Sequence, residues 1–208
     1  SEFGLSIVNP FSNVYFDPRE GVKKRLPVKP EDIKKVKAEC YKADDEMRWL
    51  VALVADTGIR LAEGAGLLKS DFINKDGILC VSIKPHPWRS LKTASSERVI
   101  PLVGSAKWAV ERILKQPDNS QFAFPKYNDG QRTNANSASA ALNKWMKGKI
   151  GEGYTMHSFR HSICDRLRAV ECPNDIIDQI GGWLTQGVGA AYGEGYSVGM
   201  LKKWMHSL

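Results

Sequence analysis

The sequence predicts a mainly α-helical fold with one small antiparallel β-sheet, and three observations carry that prediction. Apolar residues recur at helical spacing along most of the chain, only two short Val- and Ile-rich segments read as strands, and Gly and Pro punctuate the joints between them. The 208 residues, 42% hydrophobic and 25% charged, suit one sizeable globular domain or two small ones rather than a disordered chain.

Taken in order, residues 1–26 read as a linker, because Pro10, Pro18, Gly21 and the basic run Lys23, Lys24 and Arg25 interrupt any sustained periodicity. Ser1, Glu2 and Phe3 leave open an origin in cloning. The remaining 27–208 form the domain proper. Pro30, Glu31 and Asp32 open a helix expected over 30–43, since Pro presets the first-turn φ and acids suit the positive end of the helix dipole. A second helix over 46–57 places Met47, Leu50, Val51 and Val54 on one stripe, and Gly58 stops it. Residues 61–68 continue as a short helical turn. Segments 78–84 and 98–102 are read as the strands of one hairpin, joined by a polar span containing Pro85 and Pro87. Helical spacing then returns over 105–115, 135–149, 156–170, 173–180 and 201–208, with a loop over 127–133.

Several chemistries are disfavoured. No run approaches the length of apolar sequence that spans a bilayer, so no membrane partner and a cytoplasmic location are expected. Cys40, Cys80, Cys164 and Cys172 form no CxxC pair, which removes a zinc knuckle or redox dithiol. GAGLLKS at 64–70 superficially matches a phosphate loop, but Leu68 stands where the glycine before the lysine is needed. His157 and His161 share a helix face without a third ligand, and dispersed carboxylates argue against a two-metal nuclease, so no metal is expected. The net charge of +7 favours a polyanionic partner, because each phosphate neutralised by Lys or Arg releases counterions; solvated helix faces are the equal alternative on charge alone.

Metal-free phosphodiester transfer needs fixed cations around phosphorus, a nucleophile and an acid for the leaving oxygen. Arg60 follows the turn after the second helix, with Glu63 three residues on and able to orient its guanidinium; His157 and Arg160 repeat that spacing. Singly these would be a helix-end charge and a hydrogen-bonded histidine. In combination, TGIRLAE at 57–63, LKTASSERVIPL at 91–102, HSFRH at 157–161 and GGW at 181–183 resemble the tyrosine recombinases of the phage-integrase family. Tyr192 lies nine residues after Trp183, the spacing that the family places between its motif-closing residue and its nucleophile.

The resemblance implies the recombinase catalytic-domain fold, a DNA breaking-rejoining architecture. It also implies that Arg60 and Arg160 hold the non-bridging oxygens of a scissile phosphate, His157 and Trp183 complete the pocket, and Lys92 protonates the leaving 5′ oxygen. Tyr192 is the implied nucleophile, Glu63 and His161 are supporting residues, and Lys23, Lys24 and Arg25 are DNA-binding. Lys69 and Lys84 are weaker alternatives to Lys92 because PHPWRS at 85–90 looks inserted; Tyr196 is the rival tyrosine, with packing or a phosphate contact as its own role. No cofactor is implied. The expected partner is double-stranded DNA at attachment sites, bound as a homotetramer by a protein that is a monomer in isolation. Integration is the expected biology, with a resolvase, a type IB topoisomerase-like enzyme or a non-catalytic DNA-binding module as alternatives. The resemblance also makes 1–26 the end of a missing N-terminal core-binding domain, and leaves residues 201–208 to dock on a neighbour or on their own chain.

Overall fold

Helix α1 (Pro30–Ala43) begins where Pro30 needs no backbone N–H and Glu31 and Asp32 face the dipole, and it ends at Asp44 in the left-handed region with φ 44°. Both ends match the sequence expectation, as do those of α2 (Glu46–Thr57). The computed structural model of the chain describes residues 26–117, 119–183 and 195–208. At the start of α2 the Asp45 carboxylate accepts from the Arg48 N–H at 2.9 Å; at its end Gly58, with φ 63°, donates to the Val54 carbonyl at 2.9 Å. Every residue of α2 from Trp49 to Thr57 is buried, which explains why its apolar content exceeds a single stripe: α1, α4 and α6 pack around it.

After α2 the chain forms α3 (Leu61–Ala65), then the strands β1 (Phe72–Lys75), β2 (Ile78–Ile83) and β3 (Arg98–Pro101), then α4 (Gly104–Leu114). Helices α5 (Ala135–Ile150), α6 (Ser158–Ala169), α7 (Asn174–Gly181) and α8 (Val198–His206) complete the described fold. The mainly helical class with a small antiparallel sheet is as expected, but α3 ends at Ala65 rather than near 68, where Gly66 caps it. The sheet also has a strand that the sequence reading left out. Its order is β1-β2-β3, with Phe72 opposite Val81 and Val81 opposite Ile100. Asp76 and Gly77 join β1 to β2 with φ 53° and 74°, the paired left-handed conformation of a two-residue hairpin turn. That Asp-Gly was the available signal. The strand itself offers little beside it, because β1, FINK, lacks alternation: Phe72 is its one buried residue.

Two buried carboxylates knit these parts together. Asp56 at the end of α2 accepts from the Ser105 N–H (2.8 Å) and hydroxyl (2.7 Å) and pairs with Lys37 and Arg166, tying α1, α2, α4 and α6. Asp71 accepts from the Leu68 N–H at 2.9 Å and meets His86 Nε2 at 2.8 Å, anchoring the base of the β2–β3 connection. The segment 85–90 is folded onto the domain: His86 stacks on Trp88 at 4.7 Å, Trp88 meets the edge of Phe122, and the Trp88 indole donates to the Gly66 carbonyl at 3.0 Å. Helix α8 packs against β3 of its own chain, burying Val198, Leu201 and Met205. The four cysteines are unpaired, and no described helix is long and apolar enough to cross a membrane.

Candidate active site

The Gly58 turn delivers Arg60 to the N-cap of α3, where the Glu63 carboxylate accepts from the Arg60 backbone N–H at 2.9 Å and from its guanidinium at 2.5 Å. The same guanidinium donates to the Ser96 hydroxyl at 2.9 Å, joining α3 to the β2–β3 connection. Glu63 is buried and serves a second cation, because Arg98 Nη2 donates to its other oxygen at 3.0 Å. Arg98 then reaches α7: its Nε donates to the Ile180 carbonyl at 2.9 Å, and another nitrogen to the Ser96 carbonyl.

Arg160 enters from α6. Its guanidinium donates to the Gly58 carbonyl at 2.9 Å and to the Gly181 carbonyl, and it lies over the Trp183 ring at 4.3 Å. Residues 60 and 160 are thus brought into one cluster through Glu63, Arg98 and the turn 180–183. Gly182 allows that turn: its φ is 66°, and a Cβ there would come within 2.8 Å of Arg98 Nη1. Beside Arg160 a pocket of about 680 Å³ is lined by His157, His161, Cys164, Trp183 and Pro27. His157 caps the start of α6, half-buried, with its ring 5.2 Å from that of exposed His161.

Electrostatics follow from the crowding. Burial pushes Arg160 down to about 10, with repulsion from Arg60 and Arg98 adding to the effect; it stays charged at neutral pH. Burial also lowers Arg98, against the pull of Glu63. For Glu63 burial alone would raise the carboxyl, but the Arg98 guanidinium and the Arg60 hydrogen bonds outweigh it and hold the group below the usual carboxylate range. The outcome is a cationic cluster with one buried carboxylate at its centre, suited to an oxyanion with negative charge spread over several oxygens. Among the described residues, no group of three or more His, Cys, Asp or Glu is arranged to hold a metal ion.

Lys92 is exposed on the β2–β3 connection, one residue before Thr93, whose hydroxyl bonds that of Ser96 at 2.9 Å. Its backbone is therefore tied to the group that contacts Arg60. Lys84, a weaker alternative, lies 3.3 Å from Asp71 instead. Tyr192 and the run Lys23, Lys24 and Arg25 lie outside the described residues. Tyr196 is described: its hydroxyl donates to Asp175, which raises its pKa, and its backbone N–H donates to the Gln179 side chain at 2.8 Å.

Arg98 was missed by sequence reasoning, which took 98–102 as a strand and as part of the LKTASSERVIPL motif without giving the arginine a role. The clue was its phase: Arg98 and Ile100 both face inward while Val99 between them is half-buried, so a charge occupies the core-facing position of a strand. A buried charge of that kind demands a partner.

Residues 28–192 match the family model described as the Phage integrase family. A comparison with curated protein sequences finds no match. Among solved structures, the fold is similar to the integrase from mycobacterium phage Brujita, with a TM-score of 0.63 at 15% identity over 92% of this chain and 60% of that one. It is also similar to XerA recombinase (0.57, 16%, covering 92% and 62%). The Tn1549 transposon integrase in complex with circular intermediate DNA gives 0.56 at 17% identity, covering 88% and 63%. At such identities the likeness is one of fold, and the chain spans about three fifths of the length of these proteins.

Proposed function

The chain belongs to the phage integrase family, and we propose that it is the catalytic part of a tyrosine recombinase that cleaves and rejoins duplex DNA at specific sites, in phage or prophage integration. The observation that carries this reading is the convergence of Arg60 and Arg160 on one cluster, held by Glu63 and Arg98, beside the pocket lined by His157 and Trp183.

In the proposed reaction the scissile phosphate sits between Arg60 and Arg160, whose N–H groups neutralise the non-bridging oxygens as charge builds on the pentavalent phosphorus. His157 adds a hydrogen bond, and Trp183 packs on the face of Arg160 to fix its plane. The Tyr192 phenol, with an ordinary pKa of ~10, is biased towards phenolate by these cations. Its oxygen forms a bond to phosphorus as its proton passes to water; the bond from phosphorus to O5′ breaks, and Lys92 donates the proton that the 5′ hydroxyl needs. A 3′-phosphotyrosine keeps the energy of the broken ester, so a 5′ hydroxyl can attack it and release the phenol without ATP, metal or other cofactor. Assembly as a homotetramer on paired attachment sites, from monomers in solution, belongs to the same proposal. Tyr196 is poorly suited to replace Tyr192, since its hydroxyl is committed to the Asp175 carboxylate.

A nicked suicide duplex, from which the 5′ hydroxyl is lost after cleavage, tests the reading. Wild type is expected to form a denaturation-resistant protein–DNA adduct, indifferent to EDTA, with the modified peptide containing Tyr192; Tyr192→Phe forms none, and Arg160→Ala slows its formation about a hundredfold to a thousandfold. No adduct from wild type on any bound duplex makes the chain a DNA-binding module. Cleavage abolished by EDTA makes it a metal-dependent nuclease.

A further inference from the structure

We propose that Arg89 forms a second phosphate-oxygen site next to the Arg60 cluster, taking the DNA phosphate that neighbours the scissile one; the identity of this ligand rests on the DNA-strand-transfer reading above. Arg89 is only 5% exposed, yet none of its three guanidinium nitrogens has a hydrogen-bond partner. Buried guanidinium groups are ordinarily paired, and leaving one unpaired costs more than any packing of its stem returns, so an unpaired one calls for a ligand.

No internal group supplies the missing hydrogen bonds. The nearby carboxylates are Asp71 and Glu63, and neither hydrogen-bonds Arg89: Asp71 Oδ2 takes Leu68 and His86 while its Oδ1 lies 3.3 Å from the Lys84 ammonium, and Glu63 serves Arg60 and Arg98. Arg98 lies close enough to repel Arg89. Arg60, Arg98, Arg160 and Arg89 thus share the Glu63 side of the domain with Asp71 and Glu63, a surplus of cations that favours an external anion.

The arm is rigidly mounted even though its tip is unpaired. Backbone hydrogen bonds of 2.9 and 3.0 Å join Arg89 and His86 reciprocally, and the adjoining Trp88 is fixed to Gly66 through its indole and to Thr133 through its carbonyl. Gly66 leaves room for the stem, since a Cβ there would lie 3.1 Å from Arg89 Cδ and Nε. Gly66 caps the end of α3, and Arg60 stands at the beginning of that five-residue helix. The Arg89 stem therefore meets one end of a helix about 7.5 Å long whose other end carries Arg60, an offset on the order of the separation of successive phosphates along one DNA strand. Because the guanidinium makes no hydrogen bond within the fold, turning it towards a phosphate breaks none.

Arg89→Met, which keeps an unbranched stem and removes the cation, separates this role from packing. In phosphate-free chloride buffer the variant is expected to melt at or above the wild-type temperature, because it loses no internal hydrogen bond. The concentration of inorganic phosphate needed to stabilise it against heat should rise roughly tenfold, as for loss of a charge-assisted hydrogen bond. The slope of log affinity for duplex DNA against log salt should become shallower by about 1, while Arg89→Lys keeps most of the wild-type slope. A lower melting temperature with unchanged phosphate response and unchanged slope would overturn the proposal and make Arg89 a packing residue. A weakened phosphate response with an unchanged DNA slope would overturn the assignment to DNA. Neither readout uses strand transfer, so failure of wild type to form a covalent adduct would count against the function proposed above and not against this site.

Discussion

Glu63 accepts from Arg60 and Arg98 at 2.5 to 3.0 Å while itself 2% exposed, so removing either cation leaves a buried carboxylate short of a partner. Arg98→Met is therefore expected to destabilise the fold by about 3–5 kcal/mol, the cost of breaking a buried ion pair from one side. Adding Glu63→Gln should recover part of that loss, because the uncompensated charge disappears with it; urea titrations of the two single variants and the double variant check this. An additive double variant would show that the two groups do not interact. At this scale the sequence was legible where partners are close in the chain. Arg60 and Glu63 stand three residues apart on one helix end, whereas Arg98 comes from a strand 35 residues further on, and its partner could be found only from the wrong polarity of an inward strand position.

Helix ends were the most legible elements, since Pro30 and Gly58 act through their own backbone geometry rather than through distant contacts. The Gly58 turn shows what that geometry does for the site. Its φ is 63°, a Cβ would come within 2.4 Å of Ile163 Cγ2, and its carbonyl holds Arg160. Gly58→Ala combines a left-handed alanine, about 1–2 kcal/mol, with overpacking against α6, about 1–3 kcal/mol. A lower melting temperature is expected, together with a fall in the adduct-forming rate at temperatures where the variant remains folded, because the turn that orients Arg160 has shifted. A rate equal to wild type in the folded variant would show that the turn does not set Arg160. Strand β1 was less legible: a four-residue strand with one buried side chain carries almost no periodic signal, which leaves the Asp76-Gly77 turn as its local cue.

Across the whole molecule, the helical class and the order of the helices followed from periodicity, but the links that hold α1, α2, α4 and α6 together did not, because Asp56 gathers Lys37, Ser105 and Arg166 from distant parts of the chain. Burial alone would raise the Asp56 carboxyl above its ordinary 3.8, yet the Lys37 ammonium, the Ser105 hydroxyl and Arg166 outweigh burial and depress it. Glu63 is depressed from 4.5 on the same principle. A carboxyl with a folded-state pKa below its unfolded value stabilises the fold fully above the unfolded value, and that stability drains away as pH falls through the folded value. Melting temperature should therefore be insensitive to these two groups near neutrality and fall with acidification from about pH 4.5 downward. Asp56→Asn should melt lower than wild type at pH 7, where Lys37 and Arg166 lose their counter-charge, while its acid limb becomes flatter because one of the groups that must be protonated is gone. Thermal melts of both proteins between neutral pH and pH 3 make the comparison. Parallel acid limbs would show that protonation of Asp56 contributes nothing to acid unfolding, and that the four helices are held by apolar packing instead.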